Sequence, residues 1–171
     1  MIETARLLLR VPVPDDIDGL TAVFSDPEAM RYIAEGAIKS RGEVVRQIED
    51  ERAYFDEHGF TMFTVVRKAD SEVLGDCGLW TWKETGETEI GWHLARKFWG
   101  QRFGTEAAVA VLDFANQAGL DQLICMVQTE NVASLRIAER LGFQFDGEWL
   151  RRGRLTRRYR RQRANAAGEL P

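Results

Sequence analysis

Asn131 and Ser134 stand three residues apart at the head of an apolar-periodic segment, Val132 to Leu141, which ends on Gly142-Phe143. Both are helix-capping residue types. Glu89, Gly91 and His93 alternate along the segment Glu89 to Leu94, so one face of a strand there carries a carboxylate and an imidazole around a glycine. Either group can serve as a base, Glu89 being the first candidate and His93, a residue type that titrates near neutrality, the second. Either can equally be a solvated or ion-paired strand residue.

The loop Trp99-Gly100-Gln101-Arg102-Phe103-Gly104 follows that strand and precedes a helix from Thr105 to Ala118. Free backbone N–H groups and the helix dipole converge at such a junction, a geometry that binds anions and phosphate above all. The loop matches neither G-x-G-x-x-G nor a P-loop, which counts against dinucleotide or nucleoside-triphosphate chemistry.

The elements that must hold these residues are legible from periodicity and punctuation. Leu7 to Val11 reads as a first strand; Asp15-Asp16 opens a helix through Ile17, Leu20, Val23 and Phe24, which Asp26-Pro27 stops. Ser40 and Glu43 form a capping box for a second helix that runs to Gly59. Phe60 to Arg67 and Val73 to Trp82 read as a hairpin, and Leu123 to Val127 as a strand buried on both faces. Two last strands fall near Phe143 to Leu150 and Leu155 to Gln162, the latter with Leu155 and Tyr159 pointing inward. Hairpins in the first half and strand–helix alternation in the second imply one mixed sheet with helices on its faces.

The 171 residues fit a single domain spanning 1–171, with 44% hydrophobic and 29% charged residues, which excludes disordered and collagen-like chains. No apolar run reaches the length of a membrane span and no signal peptide opens the chain, so a cytoplasmic protein is expected. Cys77 and Cys125 read as reduced, buried small hydrophobes, and two scattered His and two Cys imply no metal. The net charge of −4 conceals an asymmetry: Arg151, Arg152, Arg154, Arg157, Arg158, Arg160, Arg161 and Arg163 fall in one acid-free stretch of the Arg-rich end, about 151–171. This stretch is either a strand complementing the chain's own acids or a contact for an anion, RNA or the ribosome.

The segment Asn131-Val132-Ala133-Ser134 through Arg140-Leu141-Gly142-Phe143 resembles the N-x-A-S-x-x-x-A-x-[KR]-L-G-F signature of the GNAT acetyltransferases. Arg6-Leu7-Leu8-Leu9-Arg10 with Ser25-Asp26-Pro27-Glu28-Ala29-Met30, then Glu89 to Leu94, then Phe98-Trp99-Gly100-Gln101, resemble the Rim-type branch, the ribosomal-protein N-terminal acetyltransferases and their relatives. The resemblance covers about residues 6 to 146.

It implies a GNAT fold of the mixed α/β class, with a mostly antiparallel sheet of about seven strands and four or so helices. It implies acetyl transfer from acetyl-coenzyme A to a primary amine on a protein N-terminus, a lysine or a small molecule, by a monomer or homodimer. Trp99, Gln101, Arg102, Phe103, Gly104 and Thr105 would cradle the pyrophosphate. Two frames fit the family's [QR]-x-x-G-x-[GA] pattern, one opening at Gln101 but ending on Glu106 and a preferred one anchored by Thr105-Glu106-Ala107, in which Arg102 stands where the family has its central glycine. Backbone near His93 or Leu94 would polarise the thioester carbonyl, Asn131 would fix the cofactor arm and Ser134 would protonate the thiolate. The competing class is a GNAT-fold protein that holds or senses an acyl-coenzyme A without catalysis. Trp80 or Trp82, if exposed, would mark an interface.

Overall fold

A computed structural model describes residues 1–33, 36–151 and 153–162, with the side chain of Arg151 excepted. Eight strands among them form one sheet: β1 (Ile2–Glu3), β2 (Leu7–Arg10), β3 (Met62–Arg67), β4 (Val73–Thr81), β5 (Thr88–Leu94), β6 (Gln122–Gln128), β7 (Gln144–Arg151) and β8 (Arg154–Gln162). The spatial order is β1-β2-β3-β4-β5-β6-β8-β7. Neighbours are antiparallel except β5 and β6, which are parallel. The helices are α1 (Ile17–Phe24), α2 (Pro27–Met30), α3 (Arg41–His58), α4 (Phe103–Gln117) and α5 (Val132–Arg140).

This is the mixed α/β architecture expected, with two small additions. The strand β1 is two residues long, too short to leave a periodic signal. Asp26-Pro27 does stop α1, but the same dipeptide starts α2: the Asp26 carboxylate accepts from the Glu28 N–H at 2.9 Å, and proline is tolerated at a first helical position, where no N–H is needed. In α3 the expected capping box is present, Glu43 Oε2 accepting from the Ser40 N–H at 2.8 Å, and Gly59 ends the helix in the left-handed conformation with φ +77°.

Helices α1 to α3 cover one face of the sheet through Leu20, Val23, Phe24, Met30, Val44 and Ile48. On the other face Ala107, Ala108, Val111 and Ala115 of α4 and Leu135 and Ala138 of α5 pack over Phe63, Cys77, Leu79 and Ile90. Cys77 and Cys125 are free and buried, and burial pushes both thiols well up, as small core hydrophobes require. No helix among the described residues is long and apolar enough to cross a membrane.

The described arginines of β8 are spent on the chain's own body. Arg157 pairs with Glu148 at 2.9 Å, and Arg158 and Arg160 share Glu87 at 2.6 and 2.9 Å. Arg154 donates to the Arg31 carbonyl at 2.9 Å. Tyr159 is buried as expected, whereas Leu155 lies at the exposed tip of the hairpin and Thr156 takes the inward place. Arg152, Arg163 and the Arg151 side chain lie outside the described residues.

Candidate active site

Strands β5 and β6 are seven residues each, yet they pair at one position, Glu89 with Ile124. On its outer side β5 is held by β4 from Gly75↔Leu94 to Thr81↔Thr88, and β6 is held by β8 from Gln122↔Gln162 to Gln128↔Thr156. The two strands therefore part beyond Glu89, and a cleft of about 420 Å³ opens between them. Alternate backbone groups of a strand point to either side. Those of β5 that face β6 past Glu89 have no strand partner, so an extended ligand can pair with them as a strand would.

The strand β5 leads straight to the loop Trp99 to Gly104, and α4 opens at Phe103. Gly100 has φ +73° and Arg102 φ +65°, so Arg102 adopts the left-handed conformation that glycine enters without steric cost. Among the described residues, the N–H groups of Gly100, Gln101, Arg102 and Phe103 make no backbone hydrogen bond, the condition for an anion cradle. Trp99 is half exposed, and its indole donates to the Leu94 carbonyl at 2.8 Å; the Gln101 amide donates to the Lys97 carbonyl. The Phe103 ring belongs to the core, so only its backbone faces the loop. The Cβ that Gly104 lacks would stand 3.5 Å from Ile137 of α5 and from Leu94. Arg102 and Thr105 border a second groove, shared with Met1 to Arg6, outside the cleft.

Arg6 braces this loop. Its two terminal nitrogens donate to the Gln101 carbonyl at 3.2 Å, its Nε donates to Glu106 Oε2 at 2.7 Å, and its guanidinium lies 4.2 Å over the Phe103 ring. Partial burial pushes the Glu106 carboxyl up, but hydrogen bonds from Thr4 and Arg6 outweigh it and hold the group below its usual range.

Across the cleft, Asn131 caps α5, its Oδ1 accepting from the Ser134 N–H at 3.2 Å. The Ser134 hydroxyl takes no part in that cap. Its oxygen instead accepts from the Trp92 indole at 3.2 Å, which leaves the hydroxyl proton to point elsewhere. Both Asn131 and Ser134 line the cleft.

The opposite wall is set by register. Asp76 pairs with His93, Gly78 with Gly91 and Trp80 with Glu89, so the two glycines form a floor between an imidazole and a carboxylate. Gly78 is obligatory there, since a Cβ would stand 2.0 Å from the Thr61 carbonyl. Trp80 stacks on Tyr54 at 4.3 Å, and the Trp82 indole donates to Glu89 Oε2 at 2.7 Å. Both tryptophans line the cleft, which corrects the expectation of an exposed interface marker; the exposed large apolar residues include Trp99, Phe145, Trp149 and Leu150. Nδ1 of His93 lies 2.7 Å from Asp76 Oδ1, and Asp76 is almost wholly buried.

Sequence reading did not single out Arg6, Asp76, Trp92 or Glu51 as site residues. A charged residue at the centre of the apolar strand Val73–Thr81 was the available signal for Asp76; Glu51 was hidden on an ordinary charged helix.

The site is thus a parallel strand pair that joins at one position and parts beyond it, beside a loop of backbone N–H groups without backbone partners that starts a helix. The chain belongs to the GNAT acetyltransferase family: residues 6–144 match the family described as Acetyltransferase (GNAT) domain. It is 30% identical over 149 residues to an uncharacterized N-acetyltransferase p20 of Bacillus licheniformis, covering 84% of this chain and 82% of that protein. A GNAT-family acetyltransferase of Bacillus anthracis superposes with a TM-score of 0.81 at 21% identity, over 94% of this chain and 97% of the other. RimL, a ribosomal L7/L12 alpha-N-protein acetyltransferase in complex with coenzyme A, superposes with a TM-score of 0.79 at 17% identity, over 94% and 96%. Rim-type enzymes are thus among its structural neighbours.

Proposed function

We propose that this protein transfers an acetyl group from acetyl-coenzyme A to a primary amine. The observation that carries the reading is the single β5–β6 pair, because it leaves an unpaired strand edge that ends at an anion-binding loop. The residues present fit the cofactor: the N–H groups of Gly100, Gln101, Arg102 and Phe103 at the start of α4 suit a pyrophosphate, and the β5 edge near His93 and Leu94 suits an extended amide-bearing arm. Asn131 and Ser134 close the arm's other side. When bound, the cofactor supplies an acetyl thioester.

The chain's own contributions are positioning and proton movement. A backbone N–H near His93 or Leu94 donates to the carbonyl oxygen as charge develops there. With the thioester bound, a neutral acceptor nitrogen would form the new C–N bond as the C–S bond breaks, and Ser134 would give its proton to the departing sulfur and regain one from the acylated nitrogen. Glu89 and His93, on the same face of β5, are the groups available to take the proton that neutralises the acceptor. Their face carries no lysine or arginine among the described lining residues, which suits a cationic amine.

A thermal-shift titration followed by a thiol-release assay over N-terminal peptides, lysine and small amines tests this. Stabilisation by acetyl-coenzyme A with amine-dependent thiol release is expected. Stabilisation without release across the panel would favour an acyl-coenzyme A-holding protein, and no stabilisation would overturn the cofactor.

A further inference from the structure

The register of three strands sets Thr64, Asp76 and His93 in one row across β3, β4 and β5, on the face covered by α3. His93 is the only member that reaches the cleft; Thr64 and Asp76 are buried. Nδ1 of His93 lies 2.7 Å from Asp76 Oδ1. A carboxylate can only accept, so a neutral His93 ring bonded to one at this distance carries its proton on Nδ1 and leaves Nε2 as the basic nitrogen. Among the described residues Nε2 makes no hydrogen bond, and the ring's Cε1 is 4.0 Å from where a Gly91 Cβ would stand, over the cleft floor.

We propose that His93 is the catalytic base that takes the acceptor's ammonium proton on Nε2, and that Asp76 is the positioning residue that holds the ring in the required tautomer. The proposal rests on the acetyltransferase reading and deepens it. The step balances simply: an N–H bond of the ammonium breaks, an Nε2–H bond forms, the positive charge moves to the imidazolium beside Asp76, and the proton later leaves to solvent. Glu89, bridged to Trp82 on the same face, then serves to attract and orient the ammonium.

The charged surroundings agree with this division. Glu51 of α3, buried over Asp76, accepts from Gln47 through Oε1, while its Oε2 and the Thr64 hydroxyl have no partner. Burial first, and the Asp76 charge second, push the Glu51 carboxyl up to about 8. The other groups around His93 are Lys39, which sits 4.6 Å over the Phe24 ring that meets His93 edge-on, and Tyr32, Glu89 and Cys125 on the cleft walls. Helix α5 contributes Asn131 and Ser134, which do not titrate in this range.

Two measurements test the assignment. In the unaltered protein, nitrogen-15 spectra of the two histidines at pH 8 are expected to show His93 protonated at Nδ1 and bare at Nε2, with His58 as the internal reference. The reverse tautomer would overturn the proposal without any variant or activity. In thiol-release kinetics, His93→Gln is expected to lose 10²- to 10³-fold in kcat and to lose the acid limb of the pH profile. Asp76→Asn is expected to lose about tenfold in kcat with the KM for acetyl-coenzyme A unchanged. A His93→Gln protein that keeps the wild-type rate and acid limb would remove His93 as base while leaving the acetyltransferase reading intact. A wild-type protein that releases no thiol with any amine would instead sink that reading, with the tautomer result still standing on its own.

Discussion

The indole of Trp92 donates to the hydroxyl oxygen of Ser134 across 3.2 Å, joining β5 to the first turn of α5 over the gap where β5 and β6 part. The bond does two things. It spans the open end of the sheet, and it occupies one lone pair of Ser134 so that the hydroxyl proton must be offered to something else.

Trp92→Phe keeps the ring packing and deletes the donor. Losing a net hydrogen bond of about 1 kcal/mol predicts a fall of about 2–4 °C in melting temperature together with a five- to tenfold fall in kcat. Ser134→Ala is expected to fall further, because it removes the proposed donor to sulfur itself and not only its orientation. Equal rates for Ser134→Ala and wild type would assign the proton to solvent.

Arg102 supplies by strain what a glycine would supply freely. Its φ of +65° places a side-chain-bearing residue in the left-handed region, at a cost of roughly 1 kcal/mol. Arg102→Gly is expected to raise the melting temperature by about 2–4 °C. Its side chain borders the outer groove and not the cleft, so coenzyme A affinity should stay within threefold. A tenfold loss of affinity would show instead that the guanidinium contacts phosphate.

Most of the fold was legible because its signals are local. The Ser40–Glu43 box, Gly59, the Asn131 cap and the alternation of β5 each act within a few residues of chain. The α5 end of the site was legible for the same reason, Asn131 and Ser134 being one helix turn apart. Asp76, Glu51, Trp92 and Arg6 act through register and packing across 17 to 100 residues, as in the His93–Asp76 and Arg6–Glu106 contacts, and no spacing rule announces them. Trp80 and Trp82 show the same limit. Whether a large ring at a strand end faces solvent or a cleft depends on the helix laid over it, and here Tyr54 of α3 covers Trp80.

Arg6 ties the N-terminal strands to the loop Trp99 to Gly104 through the Gln101 carbonyl, and to α4 through Glu106. Half its side chain is solvent-exposed, so the ion pair itself contributes little to global stability. Its effect is expected on the loop. Arg6→Gln should weaken coenzyme A binding three- to tenfold in a calorimetric titration while shifting the unliganded melting temperature by no more than about 2 °C. Unchanged affinity would mean that the loop holds its shape through Gly100 and Arg102 alone.

Glu51 makes stability depend on pH in a direction opposite to the usual carboxylate. Burial raises its carboxyl from 4.5 to about 8 in the folded chain, whereas the unfolded chain ionises near 4.5. Between those limits the unfolded state holds fewer protons at this site, so its contribution favours folding fully below about pH 4.5 and is lost as pH rises to about 8. Glu51→Gln keeps the shape and the bond to Gln47 without the titration. Its stability relative to wild type should therefore climb across pH 5 to 8, by as much as several kcal/mol, and level off above 8. Denaturant midpoints for both proteins at pH 5, 6.5 and 8 measure the difference directly. Parallel curves would mean that Glu51 is ionised throughout, which would place a second negative charge beside Asp76 and change the field in which His93 works.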